Sequence, residues 1–386
     1  MYKSLFTHFL KANEGKYHFA CHSHHYWPDC SREAQLAYWD DTAKYVDNKW
    51  GYFFEKKISR LDQLISDVLN IKNKNFTYAP NTHELVYRFL SSLIRRDSKL
   101  KIISTDSEFY SFERQINRLI EEGLCEVDIV PTYPYSTFKE RFSKKSHEKN
   151  YQLAFYSNVF FNSGYAIDAL AEFSLNIKAD YQLIDGYHSF MAVPLDLSFM
   201  GDHTYFVAGG YKYASAGEGS CFLISPQCST LRPINTGWFA DLAHLDTVDN
   251  SKIQYSNDGL RFAGATQDYT AIYRFIATLE MYKDKKISVE TIHQYVIKNE
   301  DYFITGIAGT KFASSAIKQN LNFRGHFLAF DFNDSTRCLK VVELLKKENI
   351  ICDSRNSVLR LGFCIYQDQN DIDYLISVIK KIDKEI

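Results

Sequence analysis

The sequence has no marked excess of either charge and no long apolar run. Its 386 residues carry 45 Lys and Arg against 47 Asp and Glu, which gives a formal net charge of −2. Proteins that bind nucleic acid or anionic membranes through their overall charge are usually basic, so neither partner is expected. No apolar run reaches the length that spans a bilayer, and the N-terminus lacks the pattern of a secretory signal.

Paired cysteines are also missing. The eight cysteines are scattered, and none forms a Cys-x-x-Cys pair. This pattern disfavours a disulfide framework, so we expect reduced thiols in a cytoplasmic protein. The His22-Ser23-His24-His25 cluster has no Cys or carboxylate at ligand spacing, and no metal site is therefore expected.

What the chain does contain is typical of a large globular protein. Hydrophobic residues make up 45% and charged residues 24%, with 27 Tyr and 29 Phe. A chain of this length buries a sizeable core, and we expect one large domain and a smaller one. Strand and helix patterns alternate from residue 100 to residue 224, which predicts an α/β fold with a mostly parallel, helix-covered sheet.

Two short apolar runs in the middle of the chain end on residues that can carry chemistry. Gln182–Ile184 is followed by Asp185, and Tyr205–Ala208 is followed by two glycines and then Lys212. Both runs have the length and the bounding residues of buried strands. Because ligands bind at the carboxyl edge of an open α/β sheet, this acid and this lysine are expected to lie near each other at a site.

A buried acid and a buried lysine in this relation suit the cofactor pyridoxal phosphate (PLP). The aldehyde of PLP attaches to a lysine whose pKa burial has lowered, and its pyridine nitrogen requires a carboxylate partner. Lys212 and Asp185 are the candidates for these roles, and His188 is placed to hydrogen-bond Asp185 or the ring hydroxyl. The alternative is an unrelated acid and a solvated lysine, since such residues are common at strand ends.

Several motifs in order make the chain similar to a known family. Asp-x-x-His, Gly-Tyr-Lys-Tyr with a glycine-rich loop, and Gly237-Trp238-Phe239 resemble kynureninase and its class V aminotransferase relatives, which are fold type I PLP enzymes. The resemblance covers most of the chain, from about Ser23 to Arg360. It implies a large domain with a mostly parallel seven-stranded sheet covered by helices, a smaller α+β C-terminal domain, and a homodimer with a shared active site.

The resemblance also implies domain bounds and cofactor contacts. We expect an N-terminal segment near the active site at 1–30, a PLP-binding domain at 31–255 and a small domain at 256–386. Besides Lys212, the expected cofactor-binding residues are Asp185, His188, Tyr211, Asn81, Thr82, Glu108, Trp238 and Thr266, the last from the partner subunit. Some assignments stay open. Asn81 or Thr82 could cap a helix without binding the cofactor phosphate. Either Phe109 or Tyr110 would stack on the ring, and either Asn158 or Asn162 would contact the ring hydroxyl.

Arg360 and Ser23 are the expected substrate-binding residues. By the resemblance, Arg360 grips the α-carboxylate of an amino acid, and a guanidinium matches a carboxylate with two parallel hydrogen bonds. The alternative is a structural salt bridge. Ser23 falls where the family presents a serine from its N-terminal segment. Lys212 is the expected catalytic base and Tyr211 the candidate proton donor.

The activity implied first is kynureninase-type hydrolysis, which cleaves the Cβ–Cγ bond of kynurenine and gives anthranilate and alanine. Two departures favour an alternative, a class V aminotransferase or lyase acting on another amino acid. The loop Gly264-Ala265-Thr266 lacks the asparagine with which kynureninases recognise the aromatic ring, and His22, His24 and His25 depart from the family's N-terminal motif. A third hypothesis is a non-enzymatic protein on the same scaffold.

Overall fold

The computed structural model describes residues 2–244, 252–317 and 323–385. The strands of its larger part are β1 Tyr17–His18, β2 Lys74–Ala79, β3 Leu100–Thr105, β4 Cys125–Val130, β5 Leu153–Ser157, β6 Tyr181–Asp185, β7 Thr204–Gly209 and β8 Cys221–Pro226. Within the described residues, seven of them form one sheet in the order β2-β8-β7-β6-β5-β3-β4. Only the β8 pairings in that sheet are antiparallel, so the predicted mostly parallel sheet is confirmed.

The central strands are apolar throughout because both faces of the sheet are covered. Every residue of β7 is buried. Alternate residues of this strand serve different cores: Phe206 and Ala208 belong to one apolar cluster, whereas Tyr205 and Val207 belong to the other. This alternation fixes the strand in register, and it fixes where the chain leaves the sheet after Gly209.

The helices of the larger part are α1 Thr7–Ala12, α2 Cys30–Tyr45, α3 Lys49–Tyr52, α4 Ser59–Leu69, α5 Thr82–Leu93, α6 Tyr110–Glu121, α7 Phe138–Ser146, α8 Leu170–Leu175 and α9 Thr270–Asp284. A π-helical turn, Phe53–Ile58, joins α3 to α4. Helix α7 is rich in charged residues, but Phe138 and Phe142 are buried on one side of it. Helix α9 packs against α2 although it lies beyond the expected boundary at 255, and that boundary remains a prediction.

The C-terminal part is an α+β unit, as expected. Its elements are α10 Val289–Gly306, α11 Lys311–Ser314, β9 Phe327–Asp331, α12 Ser335–Lys347, β10 Ile350–Ile351, β11 Asp353–Arg355, β12 Val358–Gly362 and α13 Gln369–Ile382. Strands β11, β12 and β9 form an antiparallel sheet in that order. The N-terminal strand β1 pairs in parallel with β10, and this pairing ties the start of the chain to its last third. Among the helices of the described residues, none combines the length and the apolarity that a bilayer crossing requires.

The order of the strands creates a crevice at one edge of the large sheet. From β3 the chain runs outward to β4, whereas from β5 it runs through β6 to β7 in the opposite direction. The connections after β3 and β5 therefore diverge, and ligands of open α/β sheets bind at such a switch point. Glu108 follows β3, and Asp185 and Lys212 follow β6 and β7, so all three reach this edge.

Candidate active site

Lys212 lies at the centre of the crevice and is only 5% exposed. Its Nζ is 2.5 Å from His188 Nε2. A tight loop holds the lysine there: the backbone amide of Gly210 donates to the Ser220 carbonyl at 2.8 Å, and that of Ala216 donates to the Gly210 carbonyl at 2.8 Å. The glycines that follow β7 thus turn the chain so that the lysine points back over the sheet edge.

Burial changes the protonation of this pair. It is the main cause that lowers the pKa of Lys212 to about 7; the positive charge of Arg360 lowers it further, and Asp185 opposes the change. Burial, with the charge of Lys212, holds the pKa of His188 well below its usual range. The imidazole is therefore neutral and accepts a hydrogen bond from the lysine, while the amine is a nucleophile and base near neutral pH.

Asp185 ends β6 beside the lysine. The backbone amide of Tyr187 donates to its Oδ1 at 2.8 Å. Burial raises the pKa of Asp185 to about 6, and the Tyr187 hydrogen bond and the charge of Lys212 oppose that rise. A cationic partner such as a protonated ring nitrogen would therefore stabilise the ionised form of this carboxylate. His188, which the sequence predicts to hydrogen-bond Asp185 or the ring hydroxyl, is hydrogen-bonded to Lys212 in the structure.

Glu108 forms a second buried carboxyl group next to Asp185. It accepts hydrogen bonds from Thr105 Oγ1 at 2.6 Å, from the Ser157 amide at 3.1 Å and from Ser157 Oγ at 2.5 Å, and Ser157 is the cross-strand neighbour of Asp185. Burial raises the pKa of Glu108 to about 8, and the Ser157 and Thr105 hydrogen bonds oppose this. Asp185, whose pKa is the lower of the two, is therefore the more readily ionised carboxyl group at this edge.

Aromatic rings surround the lysine. Its Nζ lies 5.1 Å from the ring centroid of Tyr187, 5.8 Å from that of Tyr211 and 5.9 Å from that of Phe109. Of the two expected stacking candidates, Phe109 is therefore the one beside the lysine, while Tyr110 packs edge-on against Phe161. Burial raises the pKa of Tyr211, so its hydroxyl keeps its proton at neutral pH and remains available as a donor.

Asn81 caps helix α5, as one of the alternatives predicted. Its Oδ1 accepts a hydrogen bond from the Glu84 amide at 2.9 Å, and the twelve-residue helix begins at Thr82. The Cys221 thiol donates to the carbonyl of Pro80, just before this helix, at 3.9 Å. A helix N-terminus at this edge of the sheet offers partial positive charge to a phosphate. The cap is present, and the phosphate role of both residues stays a prediction.

Trp238 and Thr266 lie in two surface loops that pack against each other. A Cβ at Gly237 would lie 2.3 Å from the Gly264 carbonyl oxygen, so the loops meet backbone to backbone. Trp238 is 44% exposed, and Thr266 is exposed and lines a cavity of about 230 Å³. Among the contacts of the described residues, neither side chain touches Lys212. Their cofactor roles therefore remain predictions, and that of Thr266 depends on a partner subunit.

Two buried amide oxygens follow β5 and have no partner among the described residues. Within the described residues, Asn158 Oδ1 and Asn162 Oδ1 have no hydrogen bond. The Asn158 amide donates to the Asp185 carbonyl at 2.9 Å, and Asn162 Nδ2 donates to Ser107 Oγ at 2.8 Å, so both residues lie at the switch point. Buried acceptors of this kind are normally satisfied. They fit a ligand that carries a hydroxyl donor, as the pyridoxal ring does.

Arg360 lies in β12 and is 3% exposed. Its Nη1 donates to the Phe161 carbonyl at 2.6 Å, and its Nη2 donates to Asp353 Oδ2. The salt bridge that the sequence offered as the alternative is thus present, and the charge of Arg360 also lowers the pKa of Lys212. Its role toward substrate stays a prediction.

The N-terminal segment lies against the site. The ring of His24 is 6.1 Å from that of Tyr211, and the half-buried Ser23 shares a 3.3 Å hydrogen bond with His24. The histidines of this segment diverge: His22 is buried, His24 is exposed, and His25 Nδ1 is bonded to the Tyr26 carbonyl. In the part of the chain that the structure describes, no group of three His, Cys, Asp or Glu side chains could hold a metal ion.

Sequence reasoning missed three residues of the site, namely Tyr187, Phe161 and Asp353, and it assigned no role to His22. Tyr187 lies between Asp185 and His188, and its position alone could have marked it. Asp353 approaches the site only because β11 pairs with β12, and His22 only because β1 pairs with β10. Neither pairing has a local sequence signal.

Comparisons with known proteins agree with this geometry. The aminotransferase class-V family model matches residues 49–375. An uncharacterized aminotransferase, YcbU of Bacillus subtilis (strain 168), is 26% identical over 226 residues, which are 58% of this chain and 57% of that protein. The match thus spans little more than half the length of this curated relative.

Solved structures share the fold at low sequence identity. Cysteine desulfurase CsdA from Escherichia coli has a TM-score of 0.78 at 14% identity, with 97% of this chain and 96% of that chain covered. Cysteine desulfurase from Thermococcus onnurineus NA1 has a TM-score of 0.77 at 15% identity, with 96% and 95% covered. A variant of C-DES with glycine covalently linked to its PLP cofactor has a TM-score of 0.78 at 16% identity, with 96% and 97% covered. At these identities the likeness concerns the fold alone.

Proposed function

The chain belongs to the class-V aminotransferase family of PLP-dependent enzymes, and we propose that it acts on a free amino acid as a transferase or lyase. The family match confirms the cofactor that the sequence predicts. One observation carries the proposal: a buried lysine with a pKa of about 7 lies against a neutral histidine at the sheet edge where Asp185 ends its strand. This arrangement suits proton transfer at the α-carbon of an amino acid.

The roles of the residues follow from their positions. Bound PLP supplies an aldehyde that links to amino groups and a ring that accepts electrons from a breaking bond. Lys212 Nζ would hold the cofactor and then take and return the proton at the substrate α-carbon. His188 orients that amine through the 2.5 Å hydrogen bond. Asp185 would hold the ring nitrogen, and Asn158 or Asn162 would accept from the ring hydroxyl.

A matched set of product assays tests this proposal. The purified protein is loaded with PLP and incubated with single L-amino acids in deuterium oxide, and NMR follows exchange of the α-proton. A transferase forms an α-keto acid only when an acceptor keto acid is present. A lyase forms its keto acid and ammonia without an acceptor, and with cysteine or cystine it releases reduced sulfur. A PLP-loaded protein that leaves the α-proton of every amino acid unexchanged would contradict the proposal.

Kynureninase-type hydrolysis ranks below these reactions. Its main support was the order of motifs around Lys212, which class V relatives share. The loop Gly264-Ala265-Thr266 is exposed apart from the half-buried Gly264, and it offers no amide side chain for an aromatic ring. The same assay with L-kynurenine separates this candidate, because anthranilate and alanine would then appear together.

The homodimer is part of the proposal as well. By the resemblance, a Gly-Thr of the partner subunit binds the phosphate, and Thr266 is exposed. A second copy of the chain would bring Thr266 to a neighbouring site.

The lowered pKa of Lys212 predicts how cofactor capture depends on pH. Only the neutral amine attacks an aldehyde, so below pH 7 the rate of PLP capture by the cofactor-free protein should rise about tenfold per pH unit and level off above it. Stopped-flow absorbance in the visible range measures this rate. The charge of Arg360 lowers the pKa of Lys212, so Arg360→Gln should shift the profile toward higher pH. A rate that is independent of pH across this range would contradict a pKa of about 7 for Lys212.

A further inference from the structure

Asp353 engages two arginines of the C-terminal sheet. Arg360 is its cross-strand neighbour, and Arg360 Nη2 donates to Asp353 Oδ2. Arg355 Nη1 donates to the other oxygen, Oδ1, at 2.6 Å. The charges of all three residues act on Lys212. The guanidinium that the sequence assigns to a substrate carboxylate is therefore already engaged by a carboxylate of the chain itself.

The donors of Arg360 show what this engagement blocks. A guanidinium offers a carboxylate two parallel donors along one edge, and on the side edge these are Nε and Nη2. Arg360 Nε is buried and has no hydrogen-bond partner among the described residues. Its neighbour Nη2 is held by Asp353. Half of the side edge is thus open and half is occupied, so a ligand carboxylate can use both donors only after Asp353 leaves Nη2.

His22 offers the displaced oxygen a new partner. The ring is fully buried and stacks on Phe327 at 4.8 Å, and neither of its nitrogens has a hydrogen-bond partner in the described chain. Its Nε2 lies 3.6 Å from Asp353 Oδ2, just beyond hydrogen-bond distance. Gly362 makes room for the ring, since a Cβ there would lie 2.4 Å from His22 Nδ1. A buried imidazole without partners costs free energy unless a partner arrives in another state of the site.

We propose that Asp353 competes with the substrate carboxylate for Arg360. The substrate carboxylate must displace Asp353, and the displaced Asp353 then pairs with His22. The incoming carboxylate takes Nε and Nη2 of Arg360. Asp353 keeps Arg355 on Oδ1 and turns Oδ2 toward the Nε2–H of His22. Asp353 and His22 are thus specificity-determining residues for carboxylate ligands. The inference rests on the proposed function in that the ligand is the carboxylate of an amino acid.

Calorimetric titration with propionate, a simple monocarboxylate, tests the competition without turnover. Asp353→Asn keeps the size of the side chain and removes its charge, so propionate should bind on the order of tenfold more tightly than to the unaltered protein. Arg355→Gln removes one of the two arginine partners of Asp353, so the Asp353 carboxylate should bind Arg360 more firmly. Propionate should then bind more weakly. His22→Phe removes the new partner of Asp353 and should also weaken binding. Unchanged or weaker binding to the Asp353→Asn variant overturns the proposal.

Two further arms keep the test decisive. The side chain of Arg355 is 39% exposed, so the Arg355→Gln variant is expected to fold even if Asp353→Asn does not. Propionate binding to Arg355→Gln that equals or exceeds binding to the unaltered protein also overturns the competition. A crystal structure of the propionate complex should show the ligand on Arg360 Nε and Nη2 with Asp353 turned to His22; Asp353 still on Nη2 refutes the exchange. Titrations are run with and without PLP. A protein that fails to bind PLP yet shows these affinity changes would contradict the proposed function and leave the competition standing.

Discussion

The Lys212→Ala variant is expected to lose the yellow colour that the PLP-loaded protein develops and to turn over amino acids at least about a thousandfold more slowly. Lys212 is the residue whose amine contacts His188 at the sheet edge, so an alanine removes the amine that would attach the cofactor and take the α-proton. Visible absorbance after removal of free PLP measures the attachment, and the α-proton exchange assay measures the base.

Loss of the fold would mimic this result, but the structure argues against such a loss. Burial of the charged Lys212 amine is unfavourable, as its lowered pKa shows. Alanine removes this unfavourable burial, although it leaves a small cavity. Thermal unfolding should therefore stay close to that of the unaltered protein. Lys283→Ala is the matched control, because its side chain is 55% exposed and its change should leave colour and turnover intact. If Lys212→Ala keeps both colour and α-proton exchange, the assignment of Lys212 is wrong.

Asp185→Asn should lower kcat by about a hundredfold to a thousandfold while PLP still attaches to Lys212. The amide keeps the shape of the side chain and can still accept from the Tyr187 backbone, but it cannot stabilise a cationic ring nitrogen. Its lost charge also removes a group that raises the pKa of Lys212, so the pH profile of PLP capture should shift toward lower pH. The two shifts are measured separately, by steady-state kinetics and by stopped-flow absorbance.

The control for this variant is Asp97→Asn, which changes an exposed carboxylate in the loop between α5 and β3. It should leave kcat and the pH profile unaltered. A kcat for Asp185→Asn within about threefold of the unaltered enzyme would show that this carboxylate does not support the ring.

The part of the site that the sequence predicts best is the part built from consecutive residues. Asp185, His188 and Lys212 each follow a strand that is recognisable from its apolar run, and parallel strands carry their ends to one edge of the sheet. The same logic predicts the large sheet, because continuous apolar strands need helices on both faces. Here short-range pattern and long-range packing give the same answer.

The rest of the site depends on contacts between distant segments. Asp353 meets Arg360 through the register of two strands, and His22 fits only because Gly362 lacks a side chain. Trp238 and Thr266 lie in loops whose position follows from backbone packing between Gly237 and Gly264. Such contacts leave no periodicity in the sequence. A resemblance to a family can suggest a role for a residue that makes such contacts. It does not reveal which neighbours set the charge and the hydrogen bonds of that residue.

The pairing of β1 with β10 has a consequence for the order in which the protein is built. Tyr17 is synthesised well before its strand partner, Ile350. The segment that carries His22 toward the crevice therefore stays without this partner until β10 has been synthesised, whereas every strand of the large sheet precedes β10 in the chain. The large sheet can thus form first, and a nascent chain that has already formed it still lacks one wall of the crevice.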